Sequence, residues 1–450
     1  MLSGVIEGFY GRAWTQAQRI EMMDWIAAAG MNTFIYAPKD DVHIRARWRV
    51  PYANAALTDL RQLVAAARQR GLTFMVAIAP CLDVTYSSDT DRARLRARIE
   101  QLQDIGVRDF VLLFDDIPNQ LPEADQPHFP DFASAQAALA NETLRLIRSN
   151  GGGELVFCPT DYCARFTGMD VPGSAYLRVL GEALDPAVKV FWTGPEIVSE
   201  TIPAPTLREI GAALKRKPVI WDNYHANDYD IRKVYTGPLD GRGLDILPLI
   251  SGFITNPNNE FEANFVPVHT TGSFVSGGNY DPAHARETAI AAWQPRFALA
   301  ETDENTTLST EQIHLLTELF DGPFTIGPSV QKLIDTARRM LSVHRPDPAD
   351  PAWREGLAAW RNFKAEIAAL FVGFTELENR ELFHAFHPYL WEIQEEVTHL
   401  VTYLDWLDEG PGADEEFPGA ARIHNFYRRG LAVEIQGLLK RDDQGRYHHD

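Results

Sequence analysis

The chain's first chemical signal is a pair of neighbouring acids. Asp115 and Asp116 follow the apolar run Phe110, Val111, Leu112, Leu113 and Phe114, so two carboxyls stand at the end of a strand-like stretch. Burial and mutual repulsion both oppose ionising such a pair, which predicts that one member keeps its proton to higher pH than a free Asp would. Acid–base catalysis needs that division, with a proton donor beside a carboxylate that stays charged. Adjacent acids ahead of a helix also serve as an N-cap and a first-turn acid, and the pair alone does not choose between the two.

The elements around the pair narrow the choice. Short runs rich in Val, Ile and Phe recur at residues 4–7, 33–37, 73–79, 109–114, 155–159, 188–193, 219–222 and 252–255. They are too short for helices, which suits strands buried on both faces. Helical spacing of apolar residues fills the intervals at 14–29, 57–69, 91–102, 132–147, 176–183 and 206–214, and a further helix is expected at about 230–249. Thr15, three before Gln18, makes a capping box for the first of them. Strands alternating with helices give a parallel sheet, and eight such units predict an α/β fold, a (β/α)8 TIM-type barrel. The open, doubly wound alternative would carry a glycine-rich phosphate turn after its first strand, and Glu7-Gly8-Phe9-Tyr10-Gly11-Arg12 is not one. From about Asp281 the pattern turns wholly helical, at 282–299, 310–320, 329–343, 352–370, 374–404 and 420–439. The expected organisation is therefore a barrel over 1–280, an all-α helical domain over 281–440 and a polar tail over 441–450. Aromatics at 383–391 and 403–406 are expected in the core of the helical part.

Barrels of this kind carry their active sites at the C-terminal ends of the strands. Here those ends hold carboxylates, amides and aromatics at 7–10, 38–41, 80–83, 115–116, 160–162, 193–196, 222–228 and 256–260. Such a ring suits a polyhydroxylated ligand, whose hydroxyls pair with Asp, Asn and Lys while its C–H face packs on an indole. Trp192 and Trp221 end the sixth and seventh strands and are both placed to form that wall or to fill the core. Ordinary retaining glycosidases hold two carboxyls ~5–5.5 Å apart across the sugar, and inverting ones ~6.5–9.5 Å apart. Consecutive residues are poorly placed to flank a ring, and better placed to act on one side of it. That suits substrate-assisted hydrolysis, in which a 2-acetamido oxygen of the substrate is the nucleophile.

Composition excludes several classes. Against 62 acidic residues stand 42 Lys and Arg, a formal charge of −20, with no basic run to offset it. Such a chain repels nucleic acid and anionic membrane surfaces. No stretch approaches the roughly 18 apolar residues of a membrane span. The three cysteines, Cys81, Cys158 and Cys163, argue against a disulfide scaffold and fit a reducing compartment. Cys158 and Cys163 lack a second Cys/His pair at zinc-ligand spacing. The N-terminus shows no leader pattern, so a cytoplasmic location is expected.

The motifs at 4–12, 36–41, 113–117, 158–163, 192–195, 221–230 and 255–264 together resemble glycoside hydrolase family 84, the O-GlcNAcases and bacterial β-N-acetylglucosaminidases. The resemblance covers about residues 3–270 and implies a retaining, substrate-assisted exo-β-N-acetylglucosaminidase passing through an oxazoline, able to remove O-GlcNAc from Ser or Thr of proteins. By motif, Asp115 matches the residue that orients the acetamido N–H, and Asp116 the general acid and later base. Tyr162 and Asn223 match groups that position the acetamido group. Gly8, Lys39, Asp228 and Asn256 match contacts to sugar hydroxyls, and Trp221 and Cys158 match the acetamido pocket wall. Asp40 and Asp41 are expected to be structural. The implied substrate is an N-acetylglucosamine-bearing glycan or glycoprotein, with a homodimer as a further possible assembly and no nucleic acid or membrane partner. No cofactor and no metal are expected, although His225 beside Asp222 and Asp228 leaves metal-assisted hydrolysis open. The residues also leave open the same chemistry confined to glycan or cell-wall fragments, and a non-catalytic sugar binder on a barrel.

Overall fold

Val, Ile and Phe dominate the short runs, and each run pairs with the next in the chain to close a parallel barrel in the order β1 to β8. The strands are β1 Leu2–Glu7, β2 Thr33–Tyr36, β3 Thr73–Ile78, β4 Asp109–Leu113, β5 Leu155–Cys158, β6 Lys189–Trp192, β7 Val219–Asp222 and β8 Gly252–Thr255. Closure comes from β1 against β8, with Leu2 opposite Gly252 and Val5 opposite Thr255. The structure is a computed structural model, and it describes residues 1–230, 232–300, 306–343, 346–411, 417, 430–441 and 447–448. The strands are buried along almost their whole length, as expected where helices cover a parallel sheet.

Among the described residues, four of the six α-helices between strands start at a polar side chain that caps them. Thr15 and Gln18 form the expected capping box of α1 (Gln16–Ala28), and Ser88, Asp131 and Ser174 cap α3 (Asp89–Asp104), α4 (Phe132–Ser149) and α5 (Ala175–Ala183). Apolar spacing decides which face turns inward. In α2 (Asn54–Gln69) Leu60, Leu63, Val64 and Ala67 are buried, and in α6 (Ala204–Leu214) Leu207, Ile210 and Leu214 are. The helix expected at about 230–249 is not there. Among the described residues this stretch is irregular until a 3-10 turn at Leu244–Leu249. Gly237, Pro238, Gly241, Gly243 and Pro248 punctuate it, which no α-helix survives.

The chain forms two compact units. The first comprises Met1–Tyr229, Pro238–Phe261 and Pro267–Ala285; the second comprises Asp230–Gly237, Glu262–Val266 and the chain from Arg286 onward. Long helices build the second, chiefly Pro328–Leu341, Pro351–Thr375 and Arg380–Asp408. Its core is aromatic: Phe386 meets Trp293, Phe320 and Phe374, and Phe374 meets Phe297. The aromatic stretches expected in the core are split, since Phe386 and Leu390 are buried while Trp391 is half exposed. Of the expected 420–439 helix, residues 420–429 lie outside the described set and Leu431–Gly437 is helical. In the tail, Lys440–Arg441 pairs antiparallel with Tyr447–His448, and the other residues of 442–450 lie outside the described set.

One buried ion pair ties the end of β7 in place. Arg242 donates to both oxygens of Asp222, at 2.7 and 3.1 Å, and its remaining N–H groups go to the carbonyls of Ser199, Glu200 and Asp240. Every guanidinium donor is used, which is the condition under which a buried charge is tolerated. Arg242→Met therefore strands Asp222, and the intact chain is expected to lose about 3–5 kcal/mol of stability in a denaturant titration. A loss under about 1 kcal/mol, the range of exposed pairs, would show the contact to be idle.

Candidate active site

Just past the last residue of β4, the backbone departs from strand geometry. Asp116 has φ 56°, in the left-handed region. Neighbours on a regular strand face opposite sides, and a left-handed residue breaks that alternation. Asp tolerates this conformation better than most side chains, because its short polar group can bond locally. Both carboxyls consequently line one cleft. The residue ahead of them is fixed from behind: Phe114 N–H donates to the Cys158 carbonyl at 3.0 Å, and the Phe114 carbonyl accepts from Thr160 Oγ1 at 2.9 Å.

The two acids have different surroundings. Lys39 Nζ donates to Asp115 Oδ2 at 2.6 Å, with both side chains almost wholly buried. Burial pushes Asp115 up, but the Lys39 ammonium and then Arg45 outweigh it, so the carboxyl is held below its usual range. Its other oxygen, Oδ1, is buried and has no hydrogen-bond partner. Asp115 is thus held in its charged form. Asp116 is exposed to the cleft and accepts from two phenols, Tyr162 at Oδ1 (2.8 Å) and Tyr10 at Oδ2 (2.9 Å). Burial raises the Tyr10 phenol to about 12, and burial and then Asp116 raise Tyr162 well above its usual value, so both remain donors.

The opposite wall is a network of amides around an indole. Asn223 Oδ1 accepts from Trp221 Nε1 at 2.9 Å and from Asn256 Nδ2 at 3.0 Å, while Asn223 Nδ2 donates to the Ile197 carbonyl at 2.8 Å. Asn256 Oδ1 accepts from Gly8 N–H at 3.3 Å. A Cβ on Gly8 would lie 2.7 Å from Trp221 Cζ2, so only glycine lets β1 end this close to the indole. Asp228 accepts from Tyr10 N–H at 2.8 Å, and burial raises its carboxyl. Cys158 is buried, and burial followed by the Asp115 charge keeps its thiol neutral, which leaves it a packing surface. The cleft holds about 520 Å³, within the range of small-molecule sites.

Gly8, Lys39, Asp115, Asp116, Cys158, Tyr162, Trp221, Asn223, Asp228 and Asn256 all line this one cleft. Other polar groups at the strand ends do not. Asp41 accepts from Tyr36 and Tyr52, Asp83 binds Trp48 and Arg49, and Asp161 accepts from Asn119. Trp192 is core and only Trp221 reaches the cleft. Among the described residues, no cluster of three or more His, Cys, Asp or Glu side chains is arranged to hold a metal. Sequence reasoning passed over Arg45, which donates to the Tyr10 hydroxyl, and Arg165, which pairs with the rim residue Glu196. Nothing in the spacing of Arg45 announces it, since it reaches the site from a loop across the barrel mouth.

The family model described as beta-N-acetylglucosaminidase matches residues 3–308. The chain belongs to that family. The matched span contains every residue of the cleft described above. Among similar proteins, the Protein O-GlcNAcases of Mus musculus and Rattus norvegicus are each 44% identical to it over 270 residues, which is 60% of this chain and 29% of theirs. The match thus spans less than a third of those relatives. An O-GlcNAc hydrolase variant from Thermobaculum terrenum shares the fold with a TM-score of 0.80 over 97% of this chain and 93% of its own, at 23% identity.

The Lys39–Asp115 pair makes a pH prediction. A lowered carboxyl pKa contributes stability above the ordinary Asp value, near about pH 4, and that contribution is lost as pH falls through the lowered value. Lys39→Met removes the main group holding Asp115 down and leaves burial to push it up. The acid limb of kcat/KM on an aryl β-N-acetylglucosaminide is expected to move to higher pH in that variant. A limb that stays in place would mean that catalysis does not sense the charge on Asp115.

Proposed function

We propose that the chain is a retaining exo-β-N-acetylglucosaminidase that uses substrate assistance and removes O-GlcNAc from Ser and Thr of proteins. One observation carries the reading: a buried, charged carboxylate with one oxygen held by Lys39 and the other, Oδ1, without a partner. A buried acceptor that no protein group satisfies is costly, and the cost is offset when a ligand supplies a donor. The N–H of a 2-acetamido group is such a donor.

In the first step the acetamido oxygen attacks the anomeric carbon while Asp116 gives its proton to the departing glycosidic oxygen. The bond from C1 to the aglycone breaks, and a bond from C1 to the acetamido oxygen forms. Positive charge grows on the acetamido nitrogen, and the Asp115 carboxylate stabilises it without having to reorganise. In the second step Asp116 takes a proton from water, the water oxygen bonds C1, and the ring opens to N-acetylglucosamine. Two inversions give net retention. Tyr162 steadies the acetamido group, Trp221 and Cys158 bound its methyl, and Asp228 and Asn256 serve the hydroxyls on the far side of the ring. Relatives bearing the name Protein O-GlcNAcase support a glycoprotein as substrate. The buried, free thiols of Cys81, Cys158 and Cys163 support a reducing compartment, the cytoplasm.

The test is a leaving-group series on two variants. Asp116→Asn is expected to lose about 10²–10⁴-fold on a serine-linked or alkyl glycoside and far less on a dinitrophenyl glycoside, which departs unprotonated. Asp115→Asn is expected to lose activity on every substrate alike. Losses that ignore the leaving group in Asp116→Asn would remove the acid assignment. Faster turnover of chitobiose than of O-GlcNAc-modified protein would move the substrate to glycan fragments.

A further inference from the structure

We propose that Arg45 is a positioning residue for the proton donor: it aims the Tyr10 hydroxyl at Asp116 and grips the two carbonyls that flank the left-handed turn. The inference rests on Asp116 being the general acid. Arg45 does not line the cleft, so whatever it does for the reaction it does through its neighbours.

The geometry is specific. Arg45 Nη1 donates to the Tyr10 oxygen at 2.6 Å, and Arg45 Nη2 lies 3.4 Å from the Asp115 carbonyl and 3.5 Å from that of Asp116. A phenol has one hydrogen to give. With the guanidinium occupying an acceptor site on its oxygen, that hydrogen is left for Asp116 Oδ2, 2.9 Å away. A charged donor on the phenol oxygen also polarises its O–H and strengthens the bond passed on to the carboxyl. The same fork reaches both carbonyls of the turn in which Asp116 adopts φ 56°. A lysine at this position would be a point charge and could not span three acceptors.

The loop that presents Arg45 is pinned on both sides of it, as a positioning group requires. Ile44 and Trp48 are fully buried, Ala79 N–H donates to the Ile44 carbonyl at 2.8 Å, and Trp48 Nε1 donates to Asp83 at 2.9 Å. Arg49 bridges Asp83 and Asp91, and Arg98 binds the carbonyls of His43 and Val50. Of the closely spaced arginines here, Arg49 serves as an anchor, Arg47 is exposed and Arg45 is turned to the acid.

The experiment compares Arg45→Met, Tyr10→Phe and the double variant across the leaving-group series, with Asp116→Asn alongside. Arg45→Met is expected to lower kcat about 10–100-fold on alkyl glycosides, to change KM by less than about twofold, and to spare the dinitrophenyl glycoside. Its loss should be smaller in the Tyr10→Phe background, because the two act in series. Equal losses across leaving groups, or full additivity with Tyr10→Phe, would overturn the proposal. Arg45→Lys keeps the charge and guards against a folding defect: leaving-group-selective loss in it supports the role, and uniform loss overturns it. If Asp116→Asn itself shows no leaving-group dependence, the general-acid reading has failed. If it does and Arg45→Met does not, only the role of Arg45 has failed.

Discussion

Two side chains on consecutive residues reach one cleft only if the backbone between them leaves the strand conformation, and the left-handed turn at Asp116 is where that happens. The conformation costs a residue with a Cβ roughly 1–2 kcal/mol, less for Asp than for a branched side chain. It persists because the surroundings over-determine it. Phe114 is bonded through both N–H and carbonyl to β5 and its loop, and the carboxyl of Asp116 is held by two phenols. Strain of this sort collects where function needs an arrangement that regular structure does not offer. Without the turn, Asp115 could still pair with Lys39, but Asp116 would point away from it.

Given the turn, burial does the rest. Asp115 sits where water cannot solvate it, and burial by itself would neutralise it; Lys39 at 2.6 Å reverses the outcome. A charge kept in a poorly screened site acts strongly on whatever charge appears next to it. On the other side of the cleft the amides have little freedom. Asn223 spends its oxygen on Trp221 and Asn256 and one N–H on Ile197, so its second N–H is what remains for a ligand. The walls are therefore set before anything binds, and a ligand does not have to order them.

Much of this was legible in the chain because the barrel couples pattern to place. Short apolar runs alternating with capped helices define the strands, and the strands' C-terminal ends define the rim, so a polar residue just past a run is located by counting. Counting puts Lys39, Asp115, Tyr162, Asn223 and Asn256 at the rim, and the resemblance picks them out from rim neighbours such as Asp41, Asp83 and Asp161 that do not line the cleft. Counting fails where the connection is not a helix. After β7 the apolar spacing suggests one, yet glycines and prolines turn the chain irregular, and Asp228 lies at the start of that stretch. It also fails for side chains that reach in from loops. Arg45 sits among other arginines whose neighbours give no hint of direction. Trp192 is in register with Ile220, so Trp221 is one residue further along and faces the other side of the sheet, a difference that counting to the strand ends does not reveal.

The position of the carboxylates also bears on where the nucleophile comes from. The cleft is lined by four of them: Asp115, Asp116, Glu196 and Asp228. Glu196 faces Arg165 at the rim, at 3.5 Å and half exposed, which suits a contact at the mouth better than attack on a ring seated deeper. Asp228 is pushed toward its neutral form by burial, eased only in part by the Tyr10 N–H, and a carboxyl that resists ionisation is a poor nucleophile. Asp115 is held in its charged form, but its Oδ2 is committed to Lys39 and only Oδ1 is open, one residue along the chain from Asp116. A protein carboxylate that attacks the anomeric carbon must lie across the sugar from the acid. The neighbour of the acid in the chain is poorly placed to lie there, whereas an acetamido group carried by the sugar itself brings its oxygen to that carbon wherever the sugar binds.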